Sequence, residues 1–238
     1  MALYVYAITG RSHPLDLEGL SGVGSEASRV RAVAAGRLSA VVSDVSEEIR
    51  PKRRDLLAHQ EVQERLMRGG AVLPLQFGYI ATDDSSVADV LHKDADAFLA
   101  TLERLAGCAE YHLRASQDEE QLLRDILLDT PKARELNERI LAGDQDPQLP
   151  MALGQLVAAE VEKRQDALAA GLADSLVPFA REHTVRPASG NDFLNLSLLI
   201  SHEHEEDFLT AESNLAREID GGVECRLTGP LPPYSFVQ

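Results

Sequence analysis

The sequence predicts an α+β protein of two domains, each a small antiparallel sheet with helices in ferredoxin-like or split βαβ variants, and with long helices in the second. Its 238 residues suit two domains of roughly 100 to 130 residues better than one large one. Short β-branched runs of period two alternate with stretches of helical period. The second half orders these as strand, helices, two strands, helix, strand, which is the split βαβ arrangement. The predicted boundaries are 1–108 and 109–229, followed by a Pro-rich tail over 230–238.

In the first domain Leu3 to Ile8 is apolar in both alternating sets (Leu3, Val5, Ala7 and Tyr4, Tyr6, Ile8), as a strand covered on both faces requires. A Gly/Ser-rich loop leads to Arg29 to Ala34 and Leu38 to Ser43, two β-branched runs whose separation by Ala35-Gly36-Arg37 predicts an antiparallel hairpin. From Arg54 to Arg68 a stripe of Leu56, His59, Val62 and Leu66 recurs at helical spacing, and Gly69-Gly70 supplies the stop. Ala71 to Ile80 is strand-like but interrupted by Pro74, which cannot donate to a ladder. Asp83 to Ser85 cap a single helix striped by Val87, Val90, Leu91, Phe98, Leu102 and Leu105 and ending at Gly107.

The second domain starts with a strand at Glu110 to Ala115, and Ser116-x-x-Glu119 is a capping box opening a helix to Thr130. Pro131 kinks or breaks that helix, whose pattern resumes through Leu136 and Ile140. From Met151 a long helix of about 27 residues spans roughly 40 Å. Thr184 to Arg186 is a weak strand, Leu194 to Ile200 a convincing one, Glu203 to Ile219 a helix, and Val223 to Thr228 the last strand.

Composition narrows the function classes. With 44% hydrophobic and 26% charged residues the chain can bury a core. No apolar run approaches the ~20 residues of a membrane span, and the N-terminus lacks a basic signal-peptide region, so the expected location is the cytoplasm. The net charge of −16 repels phosphate backbones, which argues against nucleic acid as a partner. The basic run Arg50 to Arg54 reads as solvated surface. Cys108 and Cys225 are too few for a disulfide framework or a zinc site and read as buried thiols.

The motifs that could carry chemistry fade on inspection. Gly22-Val23-Gly24-Ser25-Glu26-Ala27 matches G-x-G-x-x-A, but it neither follows a strand directly nor opens a helix, so it reads as a flexible loop and no cofactor is expected. His202-Glu203-His204-Glu205-Glu206-Asp207 offers metal-ligating types. On a helix start its histidines fall on different faces, and acidic residues there are favoured by the helix dipole, so no metal is expected. His59 reads as a packed or hydrogen-bonded histidine rather than a catalytic one. No nucleophile elbow or phosphate-binding loop is present, and the chain is expected not to be an enzyme.

Three stretches together resemble the gas vesicle protein family that pairs the F and L accessory proteins. They are Leu3-Tyr4-Val5-Tyr6-Ala7-Ile8; His59-x-x-Val62 followed by Val72-Leu73-Pro74-Leu75-Gln76-Phe77-Gly78; and the closing Thr228-Gly229-Pro230-Leu231-Pro232-Pro233-Tyr234-Ser235-Phe236-Val237. Leu231 stands where the family commonly has Trp, and Leu75-Gln76 where Met-Arg is common. The resemblance implies a non-enzymatic accessory or minor structural protein that supports gas vesicle assembly. Its implied partners are the major, strongly hydrophobic shell protein and other accessory proteins, in the gas vesicle and cytoplasm. A ligand-binding regulatory protein with paired ferredoxin-like domains is the alternative. The candidate site is the tail: Pro230, Pro232 and Pro233 keep it extended and Tyr234 and Phe236 supply anchors, either for a partner or for locking the domains together. Phe77 is expected in the core.

Overall fold

The computed structural model describes residues 2–46, 48–219 and 221–237. Two compact units form, one of Met1–Glu110 with Gly229–Gln238 and one of Tyr111–Thr228.

In the first unit β1 (Ala2–Gly10) lies inside a sheet ordered β2-β3-β1-β4, where β2 is Arg31–Ala35, β3 is Leu38–Val45 and β4 is Val72–Pro74. The two-residue strand β5 (Ile80–Ala81) also pairs with β1. β1 pairs antiparallel with β3, β4 and β5, and the antiparallel β2–β3 hairpin closes at Ala35↔Leu38 around Gly36. Gly36 has φ +56°, a turn conformation that glycine adopts without a Cβ penalty. Pro74 ends β4, so the predicted kinked strand is two short pieces separated by irregular backbone.

The β1–β3 register shifts between Val5 and Ala7, the mark of a bulge, which re-phases the side chains that follow. Simple alternation groups Tyr4 and Tyr6 with Ile8; instead Tyr4, Tyr6 and Ala7 join one buried cluster with Val62 and Leu66. Val5 and Ile8 face another way.

Helix α1 (Arg53–Gly69) buries Asp55, His59, Val62, Gln63 and Leu66. The predicted stripe is off by one position at its start, since Leu56 is 43% exposed and polar Asp55 holds its place. The expected single helix over 83–107 is two, α2 (Asp84–Lys93) and α3 (Ala95–Leu105), broken at Asp94 with φ −107° and ψ 20°. Asp83 caps α2 by accepting from the Ser86 N–H, and the Ser86 hydroxyl accepts in return from the Asp83 N–H, a reciprocal box.

The second unit is built on a sheet ordered β7-β8-β6-β9, with β6 Cys108–Gln117, β7 Ala180–Val185, β8 Asp192–Ser201 and β9 Val223–Leu231. That order has the last strand beside the first and the hairpin outside, as in a split βαβ sheet. Helices α4 (Glu119–Asp129), α5 (Pro131–Leu141) and α6 (Leu149–Leu176) pack through Leu122, Ile126 and Ala133 against Leu153, Leu156, Val157 and Val161. Pro131 opens α5, where a missing N–H costs nothing. The α4 cap is Asp118, accepting from the Gln121 N–H at 2.7 Å. The predicted capping box on Ser116 fails because β6 runs on through Gln117. Helix α6 has 28 residues, and α7 (Glu205–Glu218) buries Phe208, whose ring centroid lies 5.1 Å from that of Tyr111. Cys108 and Cys225 are half-buried rather than buried.

Candidate functional site

Of the tail residues singled out in the sequence, Tyr234 meets His59, inside the first unit. Spacings of four along α1 put Asp55, His59 and Gln63 on the helix face that meets the sheet, and all three are buried. Each polar group taken out of water there needs a partner.

His59 finds two hydroxyls. Its Nδ1 lies 2.9 Å from the Tyr4 hydroxyl and its Nε2 3.0 Å from the Tyr234 hydroxyl. A neutral imidazole donates from one ring nitrogen and accepts at the other, and a phenol can do either, so both contacts are satisfied without a charge. Burial pushes the His59 pKa down to about 4, offset only in part by the Leu75 backbone. Burial likewise raises the Tyr4 and Tyr6 phenols. It also pushes Tyr234 up to about 12, helped by nearby Glu110. The cluster is therefore uncharged at neutral pH.

Its surroundings are closed by further bonds. The Tyr4 hydroxyl accepts from the Gly78 N–H at 3.0 Å. The Tyr6 hydroxyl accepts from the Val23 N–H and pairs with Ser43 Oγ, both at 2.9 Å. Gln63 Nε2 donates to the Tyr6 carbonyl at 2.6 Å. The rings of Tyr4, Tyr6, His59 and Phe77 pack at centroid distances of 4.8 to 5.7 Å.

The tail itself is held at three points. Tyr234 meets His59; Ser235 donates to the Glu110 carboxylate from its N–H at 2.9 Å and from its hydroxyl; Arg104 donates to the Phe236 carbonyl at 2.5 Å. Phe236 is only 6% exposed. Pro232 and Pro233 are buried, whereas Pro230 is exposed.

The glycine-rich loop is tied into the same region. The Gly24 N–H donates to Asp55 Oδ1 at 2.9 Å. Burial alone would raise the Asp55 carboxyl, but the Gly24 N–H and Arg54 outweigh it and hold it below the usual carboxylate range. This internal carboxylate takes up the loop N–H that a phosphate would use in a dinucleotide site. A Cβ on Gly22 would lie 2.6 Å from both the Ser28 carbonyl and Ser43 Oγ, so that glycine serves close packing. The His202 to Asp207 segment is a turn and helix start: His204 Nδ1 pairs with Ser201 Oγ at 2.9 Å, and Glu205 accepts from the Tyr111 hydroxyl. Among the described residues no three His, Cys, Asp or Glu side chains are placed to share a metal ion.

Asp55, Gln63 and Glu110 were not singled out in the sequence. The first two carried a usable signal, since polar residues at i, i+4 and i+8 share a face with Val62 and Leu66. Glu110 carried none, being one acid in a strand.

The sequence profile described as gas vesicle synthesis protein GvpL/GvpF matches residues 2–238. Gas vesicle protein F of Streptomyces sp. (strain CB03234) is 39% identical over the full length of both chains. The crystal structure of gas vesicle protein GvpF from Microcystis aeruginosa superposes with a TM-score of 0.81 at 24% identity, covering 100% of this chain and 99% of that one. The GvpF structure from Anabaena sp. PCC7120 gives 0.86 at 21%, covering 100% and 98%.

Proposed function

The chain belongs to the gas vesicle synthesis protein GvpL/GvpF family, and from that premise we propose that it supports gas vesicle assembly by binding the small hydrophobic shell subunit. Proteins of this family are gas vesicle proteins and not enzymes. The observation that carries the reading is the likeness to a gas vesicle protein F from end to end, at 39% identity. The polar interior supports it: His59, Asp55 and Gln63 are spent on holding the fold, so contact falls to the surface.

In this reading the tail is a clasp. Tyr234 and Phe236 are anchors turned inward, and Pro232 and Pro233 hold the approach extended at low entropic cost. A monomer as apolar as a gas vesicle shell subunit needs a partner that shields its apolar face before or during polymerisation. The chain would act at the gas vesicle in the cytoplasm, together with other accessory proteins. Among the described residues no helix is long and apolar enough to cross a membrane.

Co-expression with the shell subunit, affinity capture and salt washing of isolated vesicles tests this. Capture of the shell subunit is expected. A folded chain that captures none of it would overturn direct binding.

A further inference from the structure

On the face of the first sheet opposite α1, helices α2 and α3 leave an open groove of about 460 Å³ beside β5. Its floor includes Val5, placed there by ordinary alternation, and Ile8, turned this way by the bulge in β1. Its lips carry large apolar side chains in water: Tyr79 is 50% exposed, Ile80 45% and Val90 41%. Isolated exposed apolar residues are ordinary, but three around one concave apolar surface mark a binding groove.

A single charge sits in it. Asp94, at the elbow between α2 and α3, is half-buried and is the one charged side chain among the described lining residues. It makes no side-chain cap to α3. A carboxylate partly withdrawn from water beside apolar walls gains from a cation that arrives with its own apolar body.

We infer that this groove seats an amphipathic helix of a partner protein, apolar on the face that enters and carrying Lys or Arg beside Asp94. β5 is only two residues long, a poor template for an added strand, whereas an apolar trough with one edge charge suits a helix read at i, i+3 and i+4. A second copy of this chain is disfavoured, since two molecules of charge −16 repel each other. The inference rests on the reading above for the existence of a protein partner; the recognition chemistry stands on the groove alone.

Fluorescence anisotropy with the purified full chain tests it, using a labelled Leu/Ala/Lys amphipathic helix and the same helix with Glu for Lys. The Lys helix is expected to bind, Val90→Glu to weaken it by about tenfold or more, and Asp94→Lys to shift preference to the Glu helix. Ile80→Glu is the second variant if Val90→Glu melts early. Binding of the Lys helix that survives both Glu variants, or a preference unchanged in Asp94→Lys, would mean general attraction to an acidic surface and would overturn the groove. So would absence of binding, or a dimer of the chain that Val90→Glu dissolves. Failure of shell-subunit capture with peptide binding intact would sink the proposed function alone. Capture unaffected by Val90→Glu would instead leave that function standing without this groove.

Discussion

The two faces of the first sheet are built on opposite plans. Under α1 the face is closed: Tyr4, Tyr6, His59 and Gln63 are buried, the two phenols, both His59 ring nitrogens and Gln63 Nε2 have partners while Gln63 Oε1 has none among the described residues, and the tail shuts the seam through Tyr234. Under α2 and α3 the face is open, its apolar floor leading to exposed Tyr79, Ile80 and Val90. A polar network in which nearly every buried group is paired favours one arrangement, because a shift strands further donors or acceptors. An open apolar wall imposes no such penalty and can accept an outside surface. Rigidity and availability are thus divided between two sides of one strand, β1, with the bulge between Val5 and Ala7 moving Ile8 to the open side.

Removing the clasp should break the closed face most severely. Deleting Pro232 to Gln238 takes away buried Phe236 and the tail-side partner of each of His59, Glu110 and Arg104. A loss of about 4 kcal/mol or more is expected, read by denaturant unfolding. If melting is unchanged while shell-subunit capture is lost, the tail is a contact segment and the contrast between the two faces fails.

His59→Ala should cost about 3 kcal/mol, by leaving a cavity and taking one hydrogen-bond partner from each of two phenols. The same residue gives a pH signature. Its folded pKa of about 4 lies below the ordinary 6.5, so between those values the unfolded chain binds more protons. Stability is therefore full above about pH 6.5 and falls as pH drops towards 4, by about 3 kcal/mol at most. His13, also lowered by burial, adds to the same slope. Asp55 has its carboxyl held low, so its contribution is lost only at still lower pH. Urea melts across pH 4 to 7 should therefore be flatter for His59→Gln than for the parent chain. An equal slope in both would remove His59 from the account.

Tyr234→Phe isolates one bond of the network. With the ring kept and the hydroxyl gone, about 1 kcal/mol should be lost, a third of the His59→Ala effect. A cost near zero would mean that water replaces the hydroxyl and the seam is less tightly shut than its geometry suggests.

How much of this was legible beforehand follows from the range of each signal. Period and turn residues are local, so β1, the β2–β3 hairpin, α1, α6 and the order of elements along the second unit could be read directly. The bulge after Val5 could not, because it comes from pairing with β3, and it reverses which side Ile8 faces. The break at Asp94 was hidden by apolar residues that continue at helical spacing through both α2 and α3. On α1, Leu56 drew the stripe one position astray because an apolar residue outranks Asp55 in any pattern reading. The Gly24 N–H, brought in by tertiary structure, together with Arg54, lets that carboxylate be buried. The tail's anchors were visible as Tyr234 and Phe236, but the groups that bond them, His59 and Arg104, lie 175 and 132 residues away in sequence.

The weakest effects on folding should come from the open face, and they sharpen the contrast most. Val90→Glu and Ile80→Glu place charges on side chains that are already 41% and 45% exposed, so each should change stability by no more than about 0.5 kcal/mol. Leu56→Glu, on the exposed side of α1, is the matched control with the same expected stability and no effect on helix binding. If Val90→Glu instead costs as much as Tyr234→Phe, the groove is part of the core's packing and its exposed lips are not held ready for a partner. If all three variants melt alike and only the two groove variants lose the peptide, the open face has a role that folding alone does not require.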